Sequence, residues 1–220
     1  MPKSEQITDP LVQDFSEYMQ QHPELYLDFV NYISKNVKID QLKTILEVGC
    51  GPGLLIKALN QSYPASTLIG LEPNQSMIQT AAHVLKDLPS NSYSLLQEKI
   101  EQCSMPTDSV DLVVTRFSVY AWEDPAKALE QITRILKPGG VLIFELLNKE
   151  FPRWKLFFIK RGMRKKHAST ELIQFHVNAY ETAFTQQKIK KMLVKQGFHN
   201  ITLEGTSQEW MYRVVAYAPA

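Results

Sequence analysis

Residues 45–53 read Ile-Leu-Glu-Val-Gly-Cys-Gly-Pro-Gly, a short apolar run that ends in three glycines at alternate positions. The apolar run predicts a buried β-strand at Thr44–Val48, and Leu54–Gln61 has the spacing of an amphipathic helix. Glycine permits a sharp turn between the two and lets a ligand approach the backbone, where free amides of the helix start face it. The sequence therefore predicts a strand, a loop and a helix, with a small molecule bound at the loop.

The spacing of these glycines differs from that of a dinucleotide-binding loop. Such a loop requires Gly-x-Gly-x-x-Gly, with the pyrophosphate on the helix N-terminus, whereas here the third glycine is Gly53 and Leu54 occupies the last glycine position. A second predicted strand, Thr67–Leu71, ends at Glu72, whose carboxylate can accept both hydroxyls of a ribose. An adenosine with an amino-acid tail therefore fits the loop better than a dinucleotide.

Short apolar runs continue to alternate with amphipathic helices along the chain. The pattern predicts strands at Tyr93–Leu96, Val110–Thr115 and Val141–Leu146, and helices at Ser76–Leu88, Pro125–Leu136 and Thr185–Gln196. This alternation predicts an α/β fold, with a parallel sheet covered by helices on both faces. The last two predicted strands, Ile201–Leu203 and Met211–Tyr217, are separated by only a short connection, so they should be antiparallel neighbours.

The composition is that of one globular domain. Of the 220 residues, 44% are hydrophobic and 21% are charged, and the formal net charge is +1. Residues 1–40 are predicted to form a helical N-terminal cap that is broken at Pro23. Because Cys50 and Cys103 are too few for a zinc site or a disulfide framework, we expect a cytoplasmic protein without a metal centre.

Five segments resemble, in order and spacing, the motifs of class I S-adenosylmethionine-dependent methyltransferases of the small-molecule type, the group that includes ubiquinone- and menaquinone-biosynthesis enzymes. These segments are Glu47–Gly53, Gly70–Met77, Tyr120–Pro125, Arg134–Gly140, and Phe184–Thr185 together with Gly197–Phe198. The resemblance covers roughly residues 40–218. It implies a Rossmann-like three-layer sandwich whose seven-stranded, mostly parallel sheet has an antiparallel last strand. It also implies methyl transfer from S-adenosylmethionine to a small-molecule acceptor, with S-adenosylhomocysteine as the product.

The resemblance also implies which residues bind the cofactor. Glu47 would hold the methionine amino group, Glu72 the ribose hydroxyls, and Met77 would pack near the adenine, while the backbone around Arg116 would contact the methionine part. The full implied set is Glu47, Gly49, Cys50, Gly51, Glu72, Pro73, Met77, Glu101, Gln102 and Arg116.

The residues implied to bind the adenine amine depend on how the segment after the third strand is aligned with the family. Alignment on Met105–Pro106 assigns them to Glu101–Gln102, whereas alignment on Asp111 assigns them to Lys99–Ile100. A lysine cannot accept a hydrogen bond from an amine. We therefore favour Glu101.

Methyl transfer from a sulfonium requires mainly that the two reactants be aligned in a water-poor site. The sequence therefore singles out no catalytic residue, but Tyr120, Trp122 and His176 are candidates. The aromatic rings could stabilise positive charge, and a histidine has a pKa suited to a general base. Packing roles are the alternative for all three side chains.

Charge is distributed unevenly along the chain. The segment Lys149–Lys166 contains eight lysines and arginines and one acid, a net charge of +7, so the remainder of the chain carries −6. The segment belongs to residues 149–182, a predicted insertion that caps the acceptor side and would suit a lipophilic or anionic acceptor. The overall net charge argues against a general nucleic-acid binder. The apolar side chains among these cations are nevertheless typical of a peripheral membrane contact; they are Phe151, Trp154, Leu156, Phe157, Phe158 and Ile159. The alternative is a helix whose apolar side covers the sheet and whose lysines are solvated.

An alternative function follows from the same segment. The chain could be a methyltransferase-fold protein that binds RNA or a membrane surface through residues 149–166, with a vestigial or regulatory cofactor site. The intact glycines of the first motif and Glu72 favour the enzyme instead.

Overall fold

The structure is a computed structural model that describes residues 9–38 and 42–219. Residues 1–8, 39–41 and 220 lie outside the described residues. Of the predicted cap at 1–40, residues 1–8 and 39–40 are therefore not described.

Seven strands of the described residues form one sheet in the order β3-β2-β1-β4-β5-β7-β6. The strands are β1 (Thr44–Val48), β2 (Thr67–Leu71), β3 (Tyr93–Leu96), β4 (Val110–Arg116), β5 (Leu136–Leu147), β6 (His199–Glu204) and β7 (Met211–Tyr217). The pairs among β1–β5 are parallel, and β7 is antiparallel to both β5 and β6. The α/β prediction with an antiparallel last strand is confirmed.

Eight α-helices of the described residues connect and flank these strands. They are α1 (Asp9–Gln20), α2 (Glu24–Asn36), α3 (Leu54–Ser62), α4 (Gln75–Val84), α5 (Pro125–Ile135), α6 (Leu156–Lys165), α7 (Thr170–Thr182) and α8 (Gln186–Lys195). Successive residues of a strand point to opposite faces of the sheet. Ile45 accordingly packs in an apolar cluster with α2 and α3, and Leu46 packs in a second cluster with α5 and α8.

The fifth strand begins earlier than predicted. Leu136 already pairs with Val110, and the register of the β4–β5 ladder then shifts before Leu112. The shift coincides with a turn in which Gly139 has a φ of +71°, a conformation that glycine adopts at little cost. Residues 137–140, which lie between the predicted helix and the predicted strand, therefore belong to β5 as an irregularity.

The segment between β5 and α8 contains a short 3₁₀ turn at Arg153–Lys155, followed by α6 and α7. Helix α7 packs against α1 and against the 3₁₀ turn Val119–Ala121 that follows β4. The N-terminal helices and this segment therefore meet at the carboxyl end of β4. Within residues 9–38 and 42–219, no helix combines the length and apolar character needed to cross a bilayer.

Candidate active site

The glycine loop after β1 adopts a backbone that side chains rarely tolerate. Gly49, Gly51 and Gly53 have φ angles of +74°, +49° and +77°. A Cβ added to Gly49 would lie 2.4 Å from the Cβ of Ser118, so this glycine lets the loop pack against the segment after β4. A Cβ on Gly51 would meet only the Met77 sulfur, at 3.9 Å. Gly51 therefore presents open backbone to the space beside it.

Glu47, the fourth residue of β1, is a buried carboxylate with an unused oxygen. It is 3% exposed, and its Oε2 has no hydrogen-bond partner among the described residues. Burial raises the pKa of Glu47 well above its usual range, while the Arg116 charge and a hydrogen bond from the Ile56 backbone oppose that shift. A buried polar atom without a partner is costly, so this oxygen is suited to a ligand that brings an ammonium group.

Glu72 follows β2 and joins two loops. Its Oε1 accepts a hydrogen bond from the Asn74 N–H at 3.0 Å, and its Oε2 accepts one from the Gly51 N–H at 3.2 Å. Burial raises the pKa of this carboxyl, and the two backbone hydrogen bonds oppose the shift. Each oxygen keeps acceptor capacity, so the fixed carboxylate can receive a pair of neighbouring hydroxyls.

These groups surround one cleft at the carboxyl ends of β1, β2 and β4. The cleft has a volume of about 900 Å³, including open solvent at its mouth. The predicted site residues that line it are Glu47, Gly49, Cys50, Gly51, Glu72, Met77, Arg116, Tyr120 and His176. The structure therefore brings most of the predicted set together.

A second, smaller cleft of about 420 Å³ adjoins the first and shares Gly49 and Glu72 with it. Its lining includes three further predicted residues, Pro73, Glu101 and Trp122. Trp122 also packs edge-on against Phe144 of β5, with ring centroids 6.2 Å apart. The ribose-binding candidate Glu72 thus stands between the two clefts.

Each of the two alternative alignments of the segment after β3 assigns the adenine-amine site to at least one residue at the second cleft. Lys99, Ile100 and Glu101 all line the second cleft. Glu101 is buried, and its Oε1 accepts hydrogen bonds from the backbone N–H groups of Glu123 and Asp124 at 2.7 and 3.2 Å. One oxygen of Glu101 therefore already fixes the loop before α5.

Gln102 does not join either cleft. It is exposed, because the 3₁₀ turn Ile100–Gln102 buries its first two residues and directs the third outward. Gln102 therefore lies outside the two clefts that hold the other implied cofactor-binding residues.

Arg116, at the end of β4, is held in a fixed position. Its Nε donates to the Glu145 Oε2 at 2.6 Å, and its guanidinium lies 4.4 Å from the Phe117 ring centroid and 5.1 Å from that of Tyr26. Glu145 is almost fully buried and also accepts hydrogen bonds from Arg213. This network stabilises the carboxyl end of β4 beside the cleft.

His176 lies on α7 with one ring nitrogen engaged. Its Nδ1 is 2.9 Å from the Leu172 carbonyl oxygen, and since a carbonyl only accepts, Nδ1 carries the proton. In the neutral ring Nε2 is then an acceptor. Desolvation lowers the pKa of His176; the hydrogen bond to the Leu172 carbonyl opposes that shift, and the Arg116 charge adds to it. The ring stacks on Phe15, so the cleft contains a neutral imidazole in a defined orientation.

The aromatic candidate Tyr120 belongs to the same wall of the cleft. Its ring meets Phe175 of α7 edge-on, with centroids 6.2 Å apart. Burial and the Glu72 charge raise the pKa of its phenol far above neutrality. Tyr120 is therefore a neutral hydroxyl that can donate a hydrogen bond.

Cys50 has a packing role in the loop. A Cβ on Gly70 of β2 would lie 2.8 Å from its sulfur, so the thiol fills the space that this glycine leaves. Burial raises the pKa of the Cys50 thiol well above its usual range, which makes it a poor nucleophile. Among the described residues, no group of three or more potential ligands could hold a metal ion.

Several cleft residues are absent from the sequence prediction. They are Leu11, Phe15, Tyr26, Phe117, Leu147, Phe175 and Ala179. Those in α1 and α2 had helical spacing but stand far from the motifs in sequence, so only the packing of the N-terminal helices reveals their position. Phe175 adjoins the candidate His176 and Phe117 adjoins Arg116, so these two residues did have a local signal in the sequence.

Residues 46–144 match the family described as a methyltransferase domain. This part of the chain is a methyltransferase domain. S-adenosylmethionine is the cofactor of such domains, and the unpartnered Glu47 oxygen and the Glu72 carboxylate fit its ammonium and ribose hydroxyls. The recognition from sequence is confirmed.

Relatives of this methyltransferase domain include an uncharacterized methyltransferase of Schizosaccharomyces pombe, 33% identical over 119 residues, which are 50% of this chain and 41% of that protein. The malonyl-[acyl-carrier protein] O-methyltransferase of Paenibacillus sp. is 31% identical over 102 residues, 46% of this chain and 37% of that protein. The chain thus matches only about two fifths of the length of each of these curated relatives.

Solved structures share the fold of the whole methyltransferase domain. A SAM-dependent methyltransferase from Thermotoga maritima superposes with a TM-score of 0.70 at 19% identity, over 97% of this chain and 99% of that one. The plantazolicin methyltransferase BpumL, solved with S-adenosylhomocysteine, gives a TM-score of 0.72 at 14% identity, over 96% and 91%. These likenesses show the fold alone.

Proposed function

We propose that this protein transfers the methyl group of S-adenosylmethionine to a small-molecule acceptor held in the larger cleft. The observation that carries the proposal is the buried Glu47 Oε2 without a partner, which lines the same cleft as the glycine loop and Glu72. A ligand with an ammonium group and a ribose satisfies both carboxylates. The cofactor, when bound, supplies a methyl group already activated on a sulfonium.

The remaining cofactor contacts follow from the backbone and the second cleft. Gly51 offers open backbone, and Met77 contacts the space beside it. Pro73 and Glu101 line the continuation beyond Glu72, where an adenine would extend. We assign cofactor binding to these residues and to the backbone at Arg116, and we assign no contact to Gln102.

The apolar wall of the larger cleft is the proposed acceptor site. Helix α1 contributes Leu11 and Phe15, and α7 contributes Phe175, His176 and Ala179. Residues from the N-terminal helices and from the segment 149–182 thus act together as a cap that excludes water from the transferring methyl group. An acceptor with an apolar body fits this lining.

His176 is the proposed general base for an acceptor whose reacting atom carries a proton. Its Nδ1–H is committed to the Leu172 carbonyl, so Nε2 is the atom that can accept a proton within the cleft. The lowered pKa keeps the ring neutral and ready to accept a proton at neutral pH. Phe175 packs edge-on against His176, and Tyr120 packs edge-on against Phe175, so these rings form the wall against which the acceptor lies.

The vestigial-site alternative has weaker support. A site that no longer binds the cofactor would not need to keep an unpaired buried carboxylate oxygen at Glu47 or three glycines at positive φ. We also propose a cytoplasmic location, because Cys50 and Cys103 are buried free thiols, which a reducing compartment maintains.

A panel of small acceptors, assayed for release of S-adenosylhomocysteine, tests this proposal. The panel includes carboxylic acids, phenols and amines, because the curated relatives include the malonyl-[acyl-carrier protein] O-methyltransferase and a trans-aconitate 2-methyltransferase of Escherichia coli. We expect transfer to at least one class and its loss in Glu72→Ala. Transfer that survives Glu72→Ala at the wild-type rate would contradict the assigned site.

A further inference from the structure

The outer face of α6, together with the turn before it, exposes large aromatic side chains. Trp154, Phe157 and Phe158 are 67%, 63% and 58% exposed. Within the described residues, only Leu27 and Val194 are other large hydrophobic side chains with comparable exposure. Three of five such residues therefore lie within one short stretch, where an exposed apolar patch indicates an interaction site.

The three rings form one patch. The ring centroids of Trp154 and Phe158 are 6.2 Å apart and those of Phe157 and Phe158 are 5.5 Å apart, both edge-on. The opposite side of the helix anchors it, since Leu156 is buried and Ile159 packs against the same apolar cluster. The outer rings are therefore not part of the core, and the fold does not account for them.

Basic residues continue the same outer face toward the end of α6. Arg161, Arg164 and Lys165 are exposed, and none of them forms an ion pair with any residue that the structure describes. Other cations of the segment do have partners: Lys149 and Arg153 pair with Glu181. The positive charges of Lys149–Lys166 that no described acidic residue neutralises therefore lie beside the aromatic patch.

We propose that this face, formed by Trp154, Phe157, Phe158, Arg161, Arg164 and Lys165, docks the protein peripherally on an anionic lipid bilayer. The rings enter the interface between headgroups and acyl chains, and the cations bind the negative surface. Both contributions come from the outer face of α6 and the turn before it, as in interfacial amphipathic helices. The proposal goes beyond the methyl-transfer activity and does not depend on it.

Charge and geometry favour a bilayer over other occupants. A second copy of this chain would bring an equally positive face against the first, and like charges repel. Single-stranded RNA binds to aromatic faces that are open for stacking in a basic groove, whereas these rings pack edge-on against one another on a convex helix. A fluid anionic surface accommodates this shape.

The inner side of α6 faces the acceptor end of the cleft. Ile159 packs against the cluster that also contacts Phe117 and Tyr120, two residues of the cleft wall. Docking through the outer face would therefore hold the acceptor site close to the bilayer, separated from it by a single helix.

Co-sedimentation with vesicles tests the inference, with the whole protein and no cofactor present. The vesicles are phosphatidylcholine alone and a three-to-one mixture of phosphatidylcholine and phosphatidylglycerol. We expect sedimentation with the mixed vesicles only, weakened by added salt. Reversal of the charges in Arg161→Glu/Arg164→Glu/Lys165→Glu should lower partitioning at least about tenfold, because each cation contributes about fivefold at an anionic surface.

Matched controls keep the result specific to this face. Lys190→Glu/Lys191→Glu/Lys195→Glu makes the same change in charge on the exposed side of α8, and we expect it to retain binding within about threefold. Trp154→Ser/Phe157→Ser/Phe158→Ser should also lose binding, whereas Leu27→Ser/Val194→Ser should not. Thermal melting checks that each variant is folded.

Three outcomes would overturn the inference. The first is a wild-type protein that does not sediment with the mixed vesicles. The second is equal loss of binding in the α6 and α8 variants, which would indicate a general charge effect. The third is self-association, or binding to a single-stranded RNA, that the α6 variants abolish while vesicle binding is unchanged.

Discussion

The Glu72 Oε2 accepts a hydrogen bond from the Gly51 backbone N–H at 3.2 Å. This bond joins the end of β2 to the glycine loop after β1, so one carboxylate both shapes the loop and faces the cleft. Its second oxygen is held by Asn74. The position of the ribose-binding candidate is therefore fixed before any ligand arrives, which lowers the entropic cost of binding.

Substitution of Glu72 should weaken cofactor binding severely. Glu72→Ala removes both proposed hydroxyl acceptors and releases the Gly51 amide, and we expect a loss of about 3 kcal/mol, or roughly a hundredfold in Kd for S-adenosylhomocysteine. Titration calorimetry measures it. Glu130→Ala, on the exposed side of α5, is the control; a Glu72→Ala variant that binds as tightly as this control would contradict the assignment.

Glu47 should lower the stability of the ligand-free protein while strengthening its binding of S-adenosylhomocysteine. Its folded-state pKa is raised, so the folded protein without ligand binds a proton more readily than the unfolded chain, and the stability loss grows as pH rises above 4.5, the usual value. Glu47→Gln should therefore unfold with a higher free energy than the wild type at neutral pH, and the difference should shrink in acid.

The same variant should bind S-adenosylhomocysteine more weakly, because a neutral amide does not pair with an ammonium group. Urea unfolding at several pH values and calorimetry give the two quantities. A Glu47→Gln protein that is less stable than the wild type at neutral pH, or binds equally well, would show that this carboxylate has a structural role instead.

His176 should affect the chemical step and leave cofactor binding intact. His176→Gln should lower kcat roughly a hundredfold or more if it removes the base, with an unchanged Kd for S-adenosylhomocysteine. In the wild type kcat should be constant around neutrality and fall only below about 6.5, the ordinary histidine value, because the pKa is lowered. His83→Gln, an exposed residue of α4, should retain both properties.

A pH profile of kcat that His176→Gln leaves unchanged in shape would assign the titration to another group. In that case His176 would be a packing residue, stacked on Phe15 and edge-on to Phe175.

Two glycines with the same backbone conformation allow the cost of backbone strain to be measured apart from the cost of a steric clash at the new Cβ. Gly49 and Gly139 have φ angles of +74° and +71°, but a Cβ would meet Ser118 at 2.4 Å in the first case and nothing within 4 Å in the second. Gly139→Ala should cost about 1 kcal/mol of stability and Gly49→Ala about 2–4 kcal/mol. Denaturant unfolding measures both, and equal losses would contradict the packing of the loop against Ser118.

The alternation of strands and helices was sufficient to predict the sheet, because short apolar runs and amphipathic periods have distinct spacings. Once the strands were predicted, the glycine loop and Glu72 could be found as well, because both lie directly at strand ends, where parallel sheets bind ligands. The limits of β5 could not be found, since its pairing across the Gly139 turn depends on a register shift with β4.

The acceptor wall could not be assembled from sequence. Leu11 and Phe15 reach the cleft only because α1 packs on α7, a tertiary contact with no local signature. Which member of the implied pair Glu101–Gln102 lines the second cleft likewise depends on the direction of a single 3₁₀ turn. The charge excess of α6 was visible in sequence, but the exposure of its aromatic rings was not.

Calorimetric titration of the wild-type protein with S-adenosylhomocysteine tests the central claim most directly. The arrangement of Glu47, Glu72 and the glycine loop predicts saturable binding at a single site, competed by S-adenosylmethionine and weakened by Glu72→Ala. A folded wild-type protein that shows no saturable binding, or binding that Glu72→Ala leaves unchanged, would contradict the account.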